Sequence, residues 1–246
     1  PAIVHRGTFY IGVSPLSYVG TVGEPQRVAL ITVDTQGITR TAQSLTATLL
    51  KREWLSVREE ADDGRFYWTN KIRETAVATE TVTTDLAGLA EVTFRPTEGG
   101  SYRVRVTGLD ERENQVRSSA YLWVSDRAFI NWGRENADSI DLIADKDLYA
   151  PGDVATVLIP SPYEGDVQAL LTIERGHVFE HRLFTLASNS EQIEIPIMPA
   201  YAPNVYVSVT IVQGMSKSSP VPSIKVGYVK LSVSTEEREL AISITP

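Results

Sequence analysis

The chain has 246 residues, of which 42% are hydrophobic and 22% are charged, and its formal net charge is −8. This composition is ordinary for a soluble globular protein, and the excess of acidic residues argues against nucleic-acid binding, which requires clustered Lys and Arg. The chain contains no cysteine, so these residues offer no disulfide, thiolate metal site, thiol nucleophile or thioester. No apolar run approaches the roughly 18 residues of a membrane-spanning helix.

Apolar and polar residues alternate with a period of two along almost the whole chain, and this period predicts β-strands. The first group of predicted strands is 8–13, 27–34, 45–52, 65–72, 76–83, 89–95, 102–107 and 119–124. The second group is 139–144, 154–159, 167–174, 179–186, 192–197, 204–212, 224–233 and 240–244. We find no convincing helix start, and we interpret the charged run 236–239 as a hairpin turn. The pattern predicts an all-β chain of antiparallel β-sandwiches.

A polar bridge between the two groups of strands predicts two tandem domains, 1–126 and 127–246. In the first domain we expect a long hairpin insertion at about 53–85, with Trp54, Phe66 and Trp68 on its buried face. The sequence Asp-Gly at 63–64 is a typical tight-turn signal for such a hairpin. No basic and apolar leader opens the chain, and we expect it to be a piece of a longer polypeptide.

The two halves open in a similar way. Tyr18 precedes a Gly-Glu turn at 23–24 and an alternating strand, and Tyr149 precedes a Gly-Asp turn at 152–153 and another alternating strand. This echo suggests tandem copies of one sandwich type.

Two groups of side chains have the residue types of metal sites but not the spacing. His177 and His181 stand four residues apart, but on a strand this spacing is about 13 Å, too far for one shared ion. The acidic residues Asp138, Asp141, Asp145, Asp147 and Asp153 lack the regular spacing of a calcium loop, so we interpret them as solvated strand ends and turns.

The acidic run 59–63 is interpreted as a solvated hairpin tip, and Tyr102–Val106 as a half-buried strand with its arginines outward. No nucleophile elbow, phosphate loop or zinc-protease motif is present. We therefore predict no enzymatic activity, no cofactor and no metal.

The segment 213–223, with the sequence QGMSKSSPVPS, is rich in Ser and Pro and joins two strong strands. We expect it to be accessible to proteases, with Met215, Lys217 and Ser218 as candidate residues, although an ordinary surface loop explains the same composition.

The order of several short segments resembles the bacterial alpha-2-macroglobulin family. These segments are DLIADK (141–146), YAPGDVA (149–155), LIPSP (158–162), ALLTIERG (169–176), APNVYVSV (202–209), VGYVKL (226–231), LAI (240–242), GGSYRV (99–104) and LWVS (122–125). The resemblance implies macroglobulin-like sandwiches, fibronectin- or immunoglobulin-like in type, the second of them similar to part of the bait-region domain.

The resemblance also implies a function. Proteins of this family trap proteases: a protease cuts an exposed bait segment, the molecule collapses around it, and a thioester elsewhere couples to it. The thioester motif, a Cys followed shortly by Glu-Gln, is absent from this chain. The implied partners are proteases, through the full-length protein, and neighbouring macroglobulin-like domains. The implied location is the periplasm, cell envelope or exterior of a bacterium, with no direct membrane insertion and no nucleic-acid partner.

Two bait candidates remain open, 213–223 and the hairpin tip 59–64. A second class of function also remains open, namely an adhesion or carbohydrate-binding sandwich with an aromatic platform formed by Trp54, Tyr67 or Trp68. A third is an accessory domain of a hydrolase.

Overall fold

The computed structural model describes residues 5, 7–60, 66–132, 138–215 and 222–238. The chain divides into two compact units, Pro1–Asn136 and Ala137–Pro246. Within the described residues every regular element is a β-strand except two single turns of 3-10 helix, at Pro199–Tyr201 and Glu236–Arg238. The predicted all-β class is therefore confirmed.

The strands of the first unit form two sheets. They are β1 Phe9–Pro15, β2 Val19–Thr21, β3 Gln26–Asp34, β4 Ser44–Glu60, β5 Phe66–Thr83, β6 Leu89–Phe94, β7 Gly100–Leu109 and β8 Gln115–Ser125. One sheet has the order β1-β3-β6 and the other has the order β2-β8-β7-β4-β5. All pairs are antiparallel except β2 with β8, which is parallel.

The core of the first unit lies between these two sheets. Alternate residues of most of these strands are buried, because successive side chains of a strand point to opposite faces, and β5 adds only the partly buried Ala78 and Val82. From the smaller sheet come Phe9, Val28, Leu30, Val92 and Phe94, and from the larger sheet come Leu45, Ala47, Leu49, Tyr102, Val104, Val106, Leu122 and Val124. The hydroxyl of Tyr102 donates to the carbonyl of Glu98 at 2.6 Å, and burial raises the pKa of this phenol to about 12.

The long hairpin of the first unit is an extension of its larger sheet. β4 pairs with β5 along its whole length, from Ser44 opposite Thr83 to Glu60 opposite Phe66. It pairs with β7 only over 45–52, so the ribbon beyond residue 52 projects by roughly 26 Å at about 3.3 Å per residue. The separate strands predicted at 65–72 and 76–83 form one strand, with a bulge opposite Leu49 and Leu50.

The same five-residue turn reverses the chain three times in the first unit. An aspartate Oδ1 accepts hydrogen bonds of 2.8 to 2.9 Å from the backbone N–H groups two and four residues later, and the residue three positions later has a positive φ. The aspartates are Asp34, Asp85 and Asp110, and the positive-φ residues are Gly37 (84°), Gly88 (73°) and Glu113 (61°). Two of the three turns thus use glycine, which tolerates this conformation, and the third uses glutamate.

We expect Glu113→Gly to raise the free energy of unfolding by about 0.5–1 kcal/mol. Glycine removes the strain of the left-handed backbone, which is about 1–2 kcal/mol. This gain is larger than the free-energy cost of about 0.5–1 kcal/mol that arises because glycine makes the unfolded chain more flexible. Chemical denaturation measures the difference. Gly37→Ala is the matched variant in the opposite direction and is expected to lower the free energy of unfolding. A methyl group at this position meets nothing within 4 Å, so the variant tests the backbone conformation alone. Destabilisation by Glu113→Gly would contradict the strain assigned to this turn.

The second unit is a sandwich of the same kind. Its strands are β9 Ile143–Ala144, β10 Val154–Pro160, β11 Val167–Glu174, β12 Val178–Leu186, β13 Ser190–Pro196, β14 Asn204–Gln213 and β15 Ser223–Ser232. The sheets have the orders β13-β10-β9 and β12-β11-β14-β15. Between them lie Tyr149, Ala155, Val157, Ile159, Ala169, Leu171, Ile173, Ile193, Ile195, Val205, Val207, Val209, Ile211 and Leu231, among other buried residues.

Two predicted elements of the second unit differ from the structure. The strand predicted at 139–144 is reduced to β9 and one bridge from Ser139 to Val226, because the segment crosses from the edge of β15 to that of β10. The charged run predicted as a hairpin turn at 236–239 forms a single 3-10 turn at Glu236–Arg238, in which the Arg238 N–H donates to the carbonyl of Thr235 at 2.8 Å. The predicted strand 240–244 lies outside the described residues.

The echo between the two halves has a structural counterpart. Gly23 and Gly152 both have positive φ, 80° and 95°. The Gly23 N–H donates at 2.8 Å to the carbonyl of Pro96, just after β6, which pairs with β3. The Gly152 N–H donates at 2.8 Å to the carbonyl of Ile197, just after β13, which pairs with β10. The two turns therefore enter β3 and β10 in the same way, as expected for sandwiches of one type.

Candidate functional site

The candidate protease-accessible segment connects β14 to β15. These strands pair from Asn204 opposite Ser232 to Gln213 opposite Ser223, so the connection spans the nine residues 214–222. Hairpin connections usually have 2–5 residues. A long connection is thus inserted between two strands that pair along their whole length.

The base of the connection is held by side chains. The hydroxyls of Tyr163 and Ser223 lie 2.8 Å apart, and the Ser223 hydroxyl donates to Oε1 of Gln213 at 3.5 Å. Tyr163 also packs against the core of the second unit. The ends of the connection are therefore fixed to the sandwich on both sides.

One of the three candidate residues lies in the described part of the chain. Met215 is 77% exposed, and the preceding Gly214 has open space where a Cβ would lie. Lys217 and Ser218 lie outside the described residues. The other bait candidate, the hairpin tip, is shorter, with five residues between the end of β4 and the start of β5, and those residues also lie outside the described part.

The histidines lie at one edge of the second unit. His181 is on β12 opposite Thr172, and His177 precedes the strand with its ring 4.2 Å from that of Phe179. In the described ranges no group of three or more His, Cys, Asp or Glu side chains is placed to hold a metal ion.

The interpretation of the acidic residues is wrong for Asp145. This carboxylate is only 8% exposed, and its Oδ1 accepts hydrogen bonds from the Tyr149 hydroxyl at 2.8 Å and from the Thr156 N–H at 2.7 Å. Burial, followed by the hydrogen bond to Asp145, raises the pKa of Tyr149. The Tyr149-Asp145-Thr156 network joins the segment before β10 to β10 itself and has a structural role.

The strand interpretation of Tyr102–Val106 agrees with the burial pattern. Val104 and Val106 are fully buried, whereas the side chains of Arg103 and Arg105 are 31% and 39% exposed on the opposite face. The alternation of Arg with Val was the signal in the sequence. It did not show which residues of other strands lie beside these arginines.

The hairpin aromatics are only partly placed. Trp54 is half-buried on the outer face of the larger sheet, with the guanidinium of Arg52 5.4 Å from the centre of its ring. The side chains of Phe66, Tyr67 and Trp68 lie outside the described part. In the part of the chain that is described, no helix is long and apolar enough to cross a membrane.

Both units match family models. Residues 12–126 match bacterial macroglobulin domain 6, and residues 140–246 match the alpha-2-macroglobulin bait region domain. The fold and these matches define a pair of macroglobulin-like β-sandwich domains. The chain belongs to the bacterial alpha-2-macroglobulin family, as the sequence resemblance implied.

Curated relatives cover most of the chain. An alpha-2-macroglobulin homolog from Nostoc is 23% identical over 94% of the chain and 12% of the relative, and alpha-2-macroglobulin from Pasteurella multocida is 22% identical over 82% of the chain and 10% of the relative. A solved structure of Escherichia coli alpha-2-macroglobulin in its native conformation is 19% identical to this chain, with a TM-score of 0.43. The alignment covers 94% of this chain and 16% of the E. coli chain. The chain thus spans about a tenth of the curated relatives' length.

Proposed function

We propose that this chain is the part of a bacterial protease-trapping protein that the target protease cuts, and that 214–222 is the cleaved segment. The observation that carries the proposal is the position of this long connection inside the segment matched by the bait region domain. The proposed role is mechanical. These residues contribute no catalytic group or cofactor, and their partners are proteases and the neighbouring domains of the full-length protein at the bacterial cell envelope.

The residues of the segment suit proteases of different specificity. Met215 offers a large apolar side chain and Lys217 a basic one, which are the side chains that apolar and acidic S1 pockets select. The other residues are Gly, Ser and Pro together with Val221, and loops rich in small polar residues are preferred sites of proteolytic nicking.

The anchored base explains how one cut can act as a trigger. Because Gln213 and Ser223 are held on the sheet, cleavage between them separates two chain ends without breaking the pairing of β14 with β15. The sandwich remains folded, and the freed ends no longer constrain each other. With no cysteine in its 246 residues, the chain supplies no thioester, so any covalent capture belongs to other parts of the protein.

Limited proteolysis of the two-unit chain tests the proposal. Trypsin and a protease with an apolar S1 pocket are each expected to make their first cut within 214–222, as mapped by intact mass. Lys217→Gln is expected to slow the first tryptic cut at least about tenfold, because the basic side chain that trypsin selects is removed, and to leave the other protease unaffected.

The matched control is Lys230→Gln, which removes an exposed lysine held within β15 and leaves both cleavage rates unchanged. First cuts by both proteases in 61–65 would overturn the assignment in favour of the hairpin tip. If the two proteases made their first cuts in different parts of the chain, the proposal that this chain contains a bait segment would be wrong.

A further inference from the structure

The outer face of the larger sheet in the first unit carries a surplus of positive charge. The strand register shows which side chains lie on this face, which is turned away from the core. The charged ones are Arg52 of β4, Glu74 of β5, Arg103 and Arg105 of β7, and Arg117 of β8. We call these five residues, together with Trp54 and Tyr121, the arginine face. Among the side chains of this face that the structure describes, four arginines stand against one glutamate, a formal surplus of three positive charges on a chain whose net charge is −8.

One carboxylate serves three of these arginines. Oε2 of Glu74 lies 2.8 Å from Arg105 Nη2, and Oε1 lies 3.4 Å from Arg103 Nη1 and 3.6 Å from Arg52 Nε. The Nε atoms of Arg52 and Arg103 are buried and make no hydrogen bond within the described residues. Glu74 therefore cannot satisfy the donors that converge on it, since each guanidinium presents five N–H groups.

Aromatic rings hold the arginines in place. The guanidinium carbons of Arg52 and Arg103 lie 4.7 and 5.9 Å from the ring centre of Tyr121, and Arg52 also contacts Trp54. The side chain of Arg52 is only 15% exposed. Stacking of this kind reduces the freedom that an arginine side chain loses on binding, so the guanidinium groups are pre-organised.

These features distinguish the arginine face from an ordinary solvated strand face. A solvated face has mobile charges of both signs, whereas here Arg52 and Arg103 are partly buried and lie against aromatic rings, and four of the five charges are positive. Pre-organised guanidinium groups match carboxylates in a planar, two-bond geometry. Four arginines around a central Glu74 form a small basic site, whereas nucleic acid requires a longer run of Lys and Arg along its phosphate backbone, so the face is better suited to a few carboxylates.

We propose that the arginine face is a docking site for a protein surface that presents Asp and Glu side chains. Partner carboxylates would bind Arg103, Arg105 and Arg117, which are more exposed than Arg52. The Tyr121 ring lies against both Arg52 and Arg103 and supports them. This site is in the first unit, and the proposal does not depend on the cleaved segment 214–222.

The test uses a fluorescein-labelled decaglutamate peptide, titrated with the two-unit chain at low salt and followed by fluorescence polarisation. The double variant Arg103→Gln/Arg105→Gln is expected to weaken binding at least about tenfold, since charged interfacial contacts are lost. The control Arg27→Gln/Arg73→Gln removes the same charge from two exposed ion pairs elsewhere in the first unit, with Glu91 and Glu53, and is expected to change affinity less than about twofold.

A second variant changes the affinity in the opposite direction. Glu74→Gln removes the internal carboxylate and is expected to tighten peptide binding at least about twofold, because the arginines lose their intramolecular partner. Thermal unfolding of each variant shows whether it folds, and Glu74→Gln tests the proposal if the double arginine variant does not. Equal losses in the two double variants, no peptide binding by the unmodified chain, or tighter binding of a ten-nucleotide single-stranded DNA than of the peptide would each overturn the proposal.

Discussion

Leu171→Ala is expected to lower the free energy of unfolding of the second unit by about 2–5 kcal/mol, the range for leucine truncation in a well-packed core. Leu171 is fully buried on β11, a central strand that pairs with both β12 and β14. Truncation removes apolar contacts and leaves a cavity that paired strands on both sides cannot readily close. Chemical denaturation followed by circular dichroism measures the change.

Leu183→Ala provides the matched control on the neighbouring strand. Leu183 is 77% exposed on β12, so its truncation is expected to change stability by no more than about 0.5 kcal/mol. If both variants lost a similar free energy of unfolding, the assignment of Leu171 to the core and of Leu183 to the solvent-facing side of this sheet would be wrong.

Asp145→Ala is expected to destabilise the second unit by about 2–4 kcal/mol, because it leaves one buried and one partly buried donor without their acceptor. The Tyr149 hydroxyl and the Thr156 N–H both donate to this carboxylate. Tyr149 is 1% exposed, so water cannot readily replace the lost partner. Thermal or chemical unfolding measures the loss.

Two substitutions separate this network from a general effect of charge. Asp141→Ala removes an exposed carboxylate four residues earlier and is expected to be nearly neutral. Tyr149→Phe keeps the ring in the core and is expected to cost about 1–3 kcal/mol through the lost hydrogen bond. If Asp145→Ala proves no more costly than Asp141→Ala, the network does not stabilise the entrance to β10.

The proposals place two different surfaces on the two units. The second unit carries the connection 214–222, whose base is held by Tyr163, Gln213 and Ser223. The first unit carries the arginine face, which is suited to an acidic protein surface. Protease cleavage and domain docking can thus be tested separately, since Lys217→Gln and Arg103→Gln/Arg105→Gln act on different units.

Most strands were predictable because burial of one sheet face imposes a period of two on the sequence. The predicted strand 167–174 coincides with β11, and 154–159 differs from β10 by one residue. The misses have local causes. The turn at 236–238 lies in a charged run without apolar alternation, and the polar residues at 73–75 interrupt the alternation of one long strand, so that it was predicted as two.

The sequence by itself determined the all-β class, the two groups of strands, the absence of any thiol chemistry and the family to which the chain belongs. These properties depend on local alternation, composition and the order of short segments. Only the tertiary structure decided that Asp145 is a buried acceptor and that three arginines from two strands share Glu74 of a third. Such neighbours depend on strand pairing and turn geometry between residues about 10–30 positions apart, whereas the alternation along one strand shows only which face each residue occupies.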